Sequence, residues 1–430
     1  MADLPIGSDE NSGKLISDAS YDYLEEWQCT DVIKAMVFDT TSANTGHLTA
    51  ACVSIQTKLD RPLLWCACRH HIGEIMLKRL WDHLNIELNP SPDISMFKKF
   101  QRYYKILTIE DTSNFNFAPE NVDNFDLICL CRRVLNNKSN MRGDYRELAE
   151  LVLIYLDGGK SMFMIKAPGA LHKARWMAKI IYSLKIIILS TKIKKELPKG
   201  AIFSAIQEKK IMKFVTFVIY LYVPWWYTTS FTEDAPVNDF KLFRKLYNYP
   251  DESVASSVIS SFSNHTWYLT EELILLALFS EEVDAKEKQD IVTKLNMFEK
   301  AQSFTKRHGS GFAKPILPKV TKNCTSLSEF VGESSWYFLS FLGIDCTFLD
   351  LPVEMWHDTE SFVIARKIVK NIRCVNDIAE RGVKLASDFI STAKINSRFQ
   401  NVLQVVENER NRIPNQRKKH KPSRRWYLYN

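Results

Sequence analysis

Two short apolar runs near the N-terminus constrain the fold of this chain more than any other feature. The first covers residues 35–38 and ends at Asp39, and the second covers residues 63–67. A helical pattern from about residue 47 to 58 lies between them, and an amphipathic pattern over residues 69–84 follows the second run directly. Buried strands separated by a helix are typical of parallel strands joined by a right-handed crossover. This part of the chain is therefore predicted to be an α/β unit.

The rest of the chain carries helical patterns, and no strand pattern occurs after about residue 97. The predicted fold class is therefore α/β plus mostly α. A loop rich in Lys, Pro and Gly over residues 306–325 separates the last helical group from the earlier ones. Outside the first unit, helices are predicted over residues 15–27, 96–107, 142–156, 169–188, 201–223, 238–247, 267–279, 285–301, 327–342, 361–373, 377–391 and 396–411.

The positive charge of the chain is concentrated in its C-terminal tail. The 430 residues carry a formal net charge of +7, and eight Lys and Arg side chains without any acid lie between residues 410 and 425. Within this run, Arg417, Lys418, Lys419 and Lys421 are predicted to contact nucleic-acid phosphates, and the same run fits a nuclear localisation signal. A solvated terminus is the alternative interpretation.

No sequence feature places the chain in a membrane or outside the cell. No apolar run reaches the roughly 18 residues that span a bilayer, and the polar N-terminus does not resemble a signal peptide. The nine cysteines lie partly inside apolar segments, as reduced core thiols do. We expect a protein that is not secreted, is nuclear if the tail acts as a signal and otherwise cytoplasmic, and has no membrane partner.

Three side chains are candidates for chemistry, and each has an ordinary structural alternative. Asp39 follows a predicted parallel strand, where open α/β sheets bind ligands, but an aspartate there also organises turns. Glu380 lies on a predicted helix, where a solvent-facing glutamate is common. Trp176, next to Arg175, fits a core tryptophan beside an ion-pairing arginine. Taken singly, none of them identifies a function.

The order of these motifs resembles the hAT-like transposases of the ribonuclease H-fold DDE superfamily. Residues 38–46, Phe-Asp-Thr-Thr-Ser-Ala-Asn-Thr-Gly, are similar to the second-aspartate segment of that family. Cys68-Arg69-His70-His71 resembles its C-x-x-H signature. Arg175-Trp176 resembles its Arg-Trp motif, and Glu380-Arg381 resembles its terminal Glu-Arg. The resemblance covers about residues 35 to 407.

The resemblance implies an incomplete ribonuclease H-like α/β core, with about two strands retained, and a large all-α insertion domain. The implied domains are a disordered N-terminus (1–14), the first part of the ribonuclease H-like region (15–176), the insertion domain (177–355), C-terminal helices that complete the ribonuclease H-like region (356–411) and a basic tail (412–430).

The resemblance also implies a chemistry, which is DNA strand cleavage and transfer. This reaction is an in-line phosphoryl displacement assisted by two divalent ions held between carboxylates. By resemblance, Asp39 and Glu380 are the catalytic residues and the ligands of Mg²⁺ or Mn²⁺. The other implied site residues are Cys68, His71, Asn44 and Arg381, which position the site, and Arg175 and Trp176, which bind nucleic acid.

The first catalytic aspartate of the family has no counterpart in this sequence. Only about thirteen polar residues precede the first predicted helix, and three strands do not fit there. We therefore expect a transposase-derived protein that is catalytically inactive and retains nucleic-acid or protein binding. The expected partners are DNA and a second copy of the chain, with no small-molecule substrate and, without activity, no cofactor. The alternatives are an active metal-dependent transposase or nuclease whose opening strands are missing from a partial gene model, and an unrelated helical scaffold.

Overall fold

The described residues are mostly helical and form one small parallel sheet, which confirms the prediction of an α/β part plus mostly α. The ribonuclease H-like core stays a prediction. The predicted helices after residue 376, the residues Glu380 and Arg381, and the basic run 417–421 lie outside the described residues. The computed structural model describes residues 12–46, 50–87, 94–109, 115–118, 124–136, 142–158, 163–169, 175–298 and 312–376.

The elements follow one another along the chain with short connections. In chain order they are α1 (Ser12–Glu26), β1 (Ala35–Phe38), α2 (Ser42–Thr45), α3 (Ala51–Leu59), β2 (Leu64–Ala67), α4 (Arg69–Leu84), α5 (Ser95–Tyr104), α6 (Phe125–Asn136), α7 (Gly143–Leu156), α8 (Arg175–Ile188), α9 (Ser190–Glu196), α10 (Ala205–Phe217), α11 (Val223–Trp226), α12 (Ala235–Tyr247), α13 (Glu252–Phe262), α14 (Ala285–Leu295), α15 (Ser335–Leu342) and α16 (Glu360–Lys370).

The sheet has the parallel pairing that the sequence predicted. β1 pairs with β2 so that Phe38 lies opposite Ala67 at the carboxyl ends of the strands. α2 and α3 form the connection between them, so the crossover is helical. All four residues of β2 are buried, whereas β1 is fully buried only at Phe38. Of the two strands of this described sheet, β2 is therefore the more buried and β1 the more exposed.

α4 joins the sheet to the helical part of the molecule. It begins two residues after β2 and packs against α13, α10 and α8. Gly73 of α4 also allows a close approach of the segment that carries Tyr222 and Trp225, because a Cβ at this position would lie 2.8 Å from the Trp225 ring and 3.3 Å from the Tyr222 ring. A side chain there would overpack the contact. The sheet and the helices are thus parts of one packed body.

The helix predicted over residues 201–223 contains a π-helical turn. α10 begins at Ala205 and passes through the π-helical turn Val218–Tyr222 into α11. Pro224 follows this turn directly, and a proline inside a helix lacks an N–H group and crowds the carbonyl of the preceding turn. The wider π-helical turn accommodates that crowding. The helix therefore continues past the proline instead of ending before it.

The prediction of one helix over residues 267–279 is wrong. The chain forms two 3₁₀ turns instead, Trp267–Leu269 and Ile274–Phe279. The Thr270 hydroxyl donates to the Trp267 carbonyl oxygen at 2.9 Å. A hydroxyl bonded to the preceding turn competes with helix propagation, which explains the break.

The helix predicted over residues 327–342 is also divided, into a 3₁₀ turn at Leu327–Phe330 and α15. Gly332 lies in the break, and a Cβ there would lie 2.2 Å from the Glu271 carboxyl carbon. Glu271 accepts a hydrogen bond from the Ser334 amide at 3.0 Å, just before α15. The break therefore makes room for the side chain of Glu271, which comes from an earlier segment of the chain.

One hydrophobic cluster runs through the described ranges, from Phe38 on β1 to Val375 at the end of the last range. Three of its contributing helices, α6, α9 and α13, were missed by the sequence analysis. Across these same ranges, every helix is too short or too polar to cross a bilayer.

Candidate functional site at the carboxyl edge of the sheet

Asp39 directly follows β1, and its carboxylate organises the loop that leads into α2. The Oδ1 atom accepts hydrogen bonds from the Thr41 amide at 3.1 Å, from the Thr41 hydroxyl at 2.6 Å and from Asn44 Nδ2 at 2.7 Å. Asn44 Nδ2 also lies 3.3 Å from the Asp39 carbonyl oxygen. Small hydroxyl and amide side chains make such local bonds readily, so the polar segment after β1 closes around the carboxylate.

The environment of Asp39 favours its ionised form. Partial burial acts to raise the pKa of this carboxyl group, but the hydrogen bonds from Thr41 and Asn44 and the nearby His71 together outweigh it and lower the pKa below the ordinary value. A half-buried, ionised carboxylate therefore lies at the carboxyl ends of the parallel strands, where open α/β sheets bind ligands.

The turn after β2 brings a distant part of the chain to the same edge. The Cys68 amide donates to the Phe38 carbonyl oxygen at 2.7 Å, and Cys68 itself is buried. The Asn376 amide donates to Cys68 Sγ at 3.2 Å, and the Arg69 amide to the Cys374 carbonyl oxygen at 2.9 Å. Cys68 thus positions the segment that leads toward Glu380. Glu380 itself is outside the described ranges, so its convergence with Asp39 stays a prediction.

The two histidines that follow Arg69, His70 and His71, lie in different surroundings. His70 stacks on the Trp226 ring, with 4.2 Å between ring centroids. His71 lies near Asp39 and, through Nδ1, 3.9 Å from a Glu74 carboxylate oxygen. Of the pair, His71 therefore lies at the sheet edge and His70 in an aromatic cluster, and the positioning role of His71 stays a prediction.

The sequence analysis missed two side chains of this edge that come from far along the chain. Trp267 packs edge-on against Phe38 of β1 at 5.8 Å and stacks on Trp65 of β2 at 5.9 Å between centroids. Lys314 Nζ lies 4.9 Å from the centroid of the Trp267 ring. Neither residue has a local pattern that marks it, because Trp267 lies in a buried segment that resembles other core segments and Lys314 lies in an irregular loop.

His265 is the third missed side chain. Burial lowers its pKa, and the neighbouring His71 and Lys314 lower it further, to about 4. Its imidazole is therefore neutral at physiological pH. Together, Asp39, His71, His265, Trp267 and Lys314 are named the sheet-edge cluster below.

Several polar atoms at this edge are buried and make no hydrogen bond within the described part of the chain. They are Thr40 Oγ1, next to Asp39, His265 Nδ1 and Trp267 Nε1. A buried polar atom without a partner is destabilising, and such atoms point to a ligand or to bound water. An indole N–H and a lysine ammonium group are donors only, so the cluster is equipped to hold an acceptor-rich group.

A buried ion pair fixes the turn after β2 to the helical part. The Arg69 side chain is fully buried, and its Nη2 lies 2.5 Å from Asp239 Oδ1 on α12. Trp225 Nε1 donates to the same oxygen at 2.8 Å, and the guanidinium lies over the rings of Trp225 and Tyr268. The Tyr268 hydroxyl in turn donates to the Ala67 carbonyl oxygen at 2.7 Å. This network holds the 3₁₀ segment, and hence Trp267, against the sheet.

The Arg-Trp motif lies at the start of α8, away from these contacts. Trp176 is half-buried, and Lys179 Nζ lies 3.8 Å from its ring centroid and 5.4 Å from that of Trp81. One face of the Trp176 ring is therefore in contact with a cation of the same helix. Base stacking by Trp176 and phosphate contact by Arg175 stay predictions.

The residues described here do not form the metal site that the resemblance implies. No group of three or more His, Cys, Asp or Glu side chains in this part of the chain is arranged to hold a metal ion. Asp39 contributes one carboxylate, of which one oxygen is shared among three donors of its own loop. A two-metal site needs several converging carboxylates, so we derive no catalytic step from Asp39 alone.

Comparisons with protein family models, with curated proteins and with solved structures give no significant match to this chain.

Proposed function

We propose that this chain is a transposase-derived protein that binds nucleic acid at the sheet-edge cluster without cutting it. The observation that carries the proposal is the surroundings of Asp39. Its described neighbours are hydrogen-bond donors of its own loop and the imidazole of His71. Such a carboxylate supports the structure of a binding loop, whereas strand cleavage requires further carboxylates beside it. Nucleic acid is proposed as the ligand because the order of the motifs resembles that of hAT-like transposases.

The chemistry of the cluster supports a phosphate ligand. Phosphate oxygens only accept hydrogen bonds, and Trp267 Nε1 and Lys314 Nζ only donate them. His71 and His265 each carry at least one N–H group at any pH. Asp39 limits the positive potential of this edge and repels a phosphate that comes too close. The cluster therefore matches a phosphodiester held on the His and Lys side of the edge.

A second candidate function is metal-dependent nuclease or transposase activity. It is favoured by one specific observation, the contact of residues 374–376 with the turn at Cys68, because Asn376 at this edge is only four positions before Glu380 in the sequence. If Glu380 and a further acid reach that edge, Asp39 gains the partners that Mg²⁺ or Mn²⁺ requires.

A binding measurement on the full chain tests the first proposal. We expect Lys314→Ala to weaken the affinity for a short fluorescent DNA duplex about tenfold, the size of one charge-assisted hydrogen bond. Lys322→Ala removes an equally charged, exposed side chain from the same region and should leave the affinity nearly unchanged. Equal affinities of the two variants, with unchanged circular dichroism, would contradict binding at the sheet-edge cluster.

A further inference from the structure

α5 combines a fully buried apolar side with an exposed side whose charged residues are all basic. Met96, Phe97 and Phe100 are each at most 1% exposed. The exposed cations Lys98, Lys99, Arg102 and, just after the helix, Lys105 lie on the opposite side, and residues 95–109 contain no acid. The four cations are named the α5 basic face.

The α5 basic face is held rigidly on the core. The Phe97 ring lies 5.9 Å from Trp81 of α4 and 5.0 Å from Tyr182 of α8, measured between centroids. Gln101 Nε2 lies 2.6 Å from the Tyr182 hydroxyl, and the Tyr104 hydroxyl donates to the Ile165 carbonyl oxygen at 2.7 Å. Because the buried side of α5 is fixed on the core, the backbone positions of the exposed cations have a defined spacing. Binding therefore costs little conformational entropy of the helix.

Three of these cations are available to a ligand, because Lys99, Arg102 and Lys105 have no carboxylate partner within the described ranges. α9 approaches the segment after α5, where the Thr108 amide donates to Glu196 Oε2 at 3.1 Å. Two more exposed cations, Lys195 and Lys199, lie on and just beyond that helix.

We infer that the α5 basic face binds the phosphate backbone of nucleic acid. At a rise of about 1.5 Å per residue, Lys99 to Lys105 spans roughly 9 Å, the length of duplex axis that two to three phosphates of one strand occupy at about 3.4 Å each. The inference rests on the proposed function and names a surface for it outside the sheet-edge cluster. Backbone contacts of this kind set affinity and orientation without reading sequence.

An anionic membrane is the competing partner, and the burial pattern argues against it. A helix that lies in a bilayer interface inserts its apolar side into the lipid, whereas the apolar side of α5 is in the protein core. Ile106, which is 63% exposed just beyond the helix, offers a single apolar contact. Lysine and arginine without an apolar anchor match a polyphosphate better than a lipid surface.

The salt dependence of DNA binding by the full chain tests the inference. The variant Lys99→Ala/Arg102→Ala/Lys105→Ala removes three cations of the α5 basic face. Its matched control, Lys286→Ala/Lys322→Ala/Lys367→Ala, removes three exposed lysines from other segments and gives the same net charge. Each phosphate contact contributes about 0.9 to the slope of log affinity against log salt, so the slope should fall by about 2.7 in the first variant and by less than about 1 in the control.

Three results of these binding measurements would overturn the inference, each in a different way. Equal slopes in the two triple variants, both folded by circular dichroism, would overturn the α5 basic face and leave the proposed function intact. Absence of any binding by the unmodified chain would overturn the proposed function and the surface together. Loss of sedimentation with phosphatidylserine vesicles, with unchanged duplex binding, would assign the face to a membrane and overturn the inference.

Discussion

At the residue scale, Asp39 stabilises its loop through one carboxylate oxygen. Asp39→Ala removes the acceptor of three hydrogen bonds from Thr41 and Asn44. We expect it to lower the free energy of unfolding by about 1–2 kcal/mol, whereas Asp39→Asn keeps a carbonyl oxygen for the same donors and should lose less. Chemical denaturation at neutral pH measures both. Because the pKa of Asp39 is lowered on folding, its ionic contribution is present above its ordinary value of 3.8 and is lost as the pH falls below it.

Larger destabilisation by Asp39→Asn than by Asp39→Ala would contradict the role of the Oδ1 atom as a hydrogen-bond acceptor. Thr41→Val provides a matched control, because it removes one of the same hydrogen bonds from the donor side.

His265 predicts a specific loss of stability in acid. Burial, with His71 and Lys314, lowers its pKa from 6.5 to about 4, so below pH 6.5 the unfolded chain binds the proton more readily than the folded one. The contribution of the neutral imidazole is complete above about pH 6.5 and is lost as the pH falls toward 4. On acidification from pH 7.5 to 4, the unmodified chain should lose about 3 kcal/mol more stability than His265→Gln.

The measurement is a series of urea denaturations of both proteins over this pH range. Parallel pH profiles for the unmodified chain and His265→Gln would show that the imidazole titrates normally, which would contradict its burial beside two other basic groups. Asp39 titrates in both proteins and cancels in the difference.

At the element scale, the Arg69–Asp239 pair links the turn between β2 and α4 to α12. Both side chains are at most 1% exposed, so loss of either leaves a buried charge without its partner. We expect Asp239→Ala to lower the free energy of unfolding by about 3–5 kcal/mol. The double variant Arg69→Met/Asp239→Leu fills the site with apolar groups and should lose clearly less than Asp239→Ala.

Thermal or denaturant unfolding of the two variants decides this prediction. If the two charges are not coupled, the second substitution adds its own full cost. A double variant that is clearly less stable than Asp239→Ala would therefore contradict the prediction.

Helices with a sustained pattern of apolar residues were predictable from the sequence, and helices without one were not. α4, α5 and α7 match the predicted ranges to within a few residues. α13 was missed because five serines dilute its apolar pattern. The 3₁₀ segment around Thr270 was mistaken for a helix because its apolar residues, interrupted only by Thr270, Glu271 and Glu272, show no period that separates the two conformations.

At the scale of the whole molecule, only the part of the candidate site that directly follows the two strands was predictable. Asp39 and His71 follow neighbouring parallel strands, whose carboxyl ends meet at one edge, so their proximity follows from the strand pattern. His265, Trp267 and Lys314 reach that edge through packing of segments more than 190 positions further along the chain. The local sequence around Asp39 and His71 contains no sign of such a contact. The donors on which the proposed phosphate binding rests were therefore visible only in the fold.

The central claim is that the folded chain binds DNA without cutting it. One assay tests both parts: incubation of the full 430-residue chain with supercoiled plasmid DNA in Mg²⁺ or Mn²⁺, followed by native and denaturing gels of the same samples. The account predicts a mobility shift on the native gel and intact supercoiled DNA on the denaturing gel. Metal-dependent nicking that disappears in both Asp39→Ala and Glu380→Ala would contradict the account and establish the active nuclease instead.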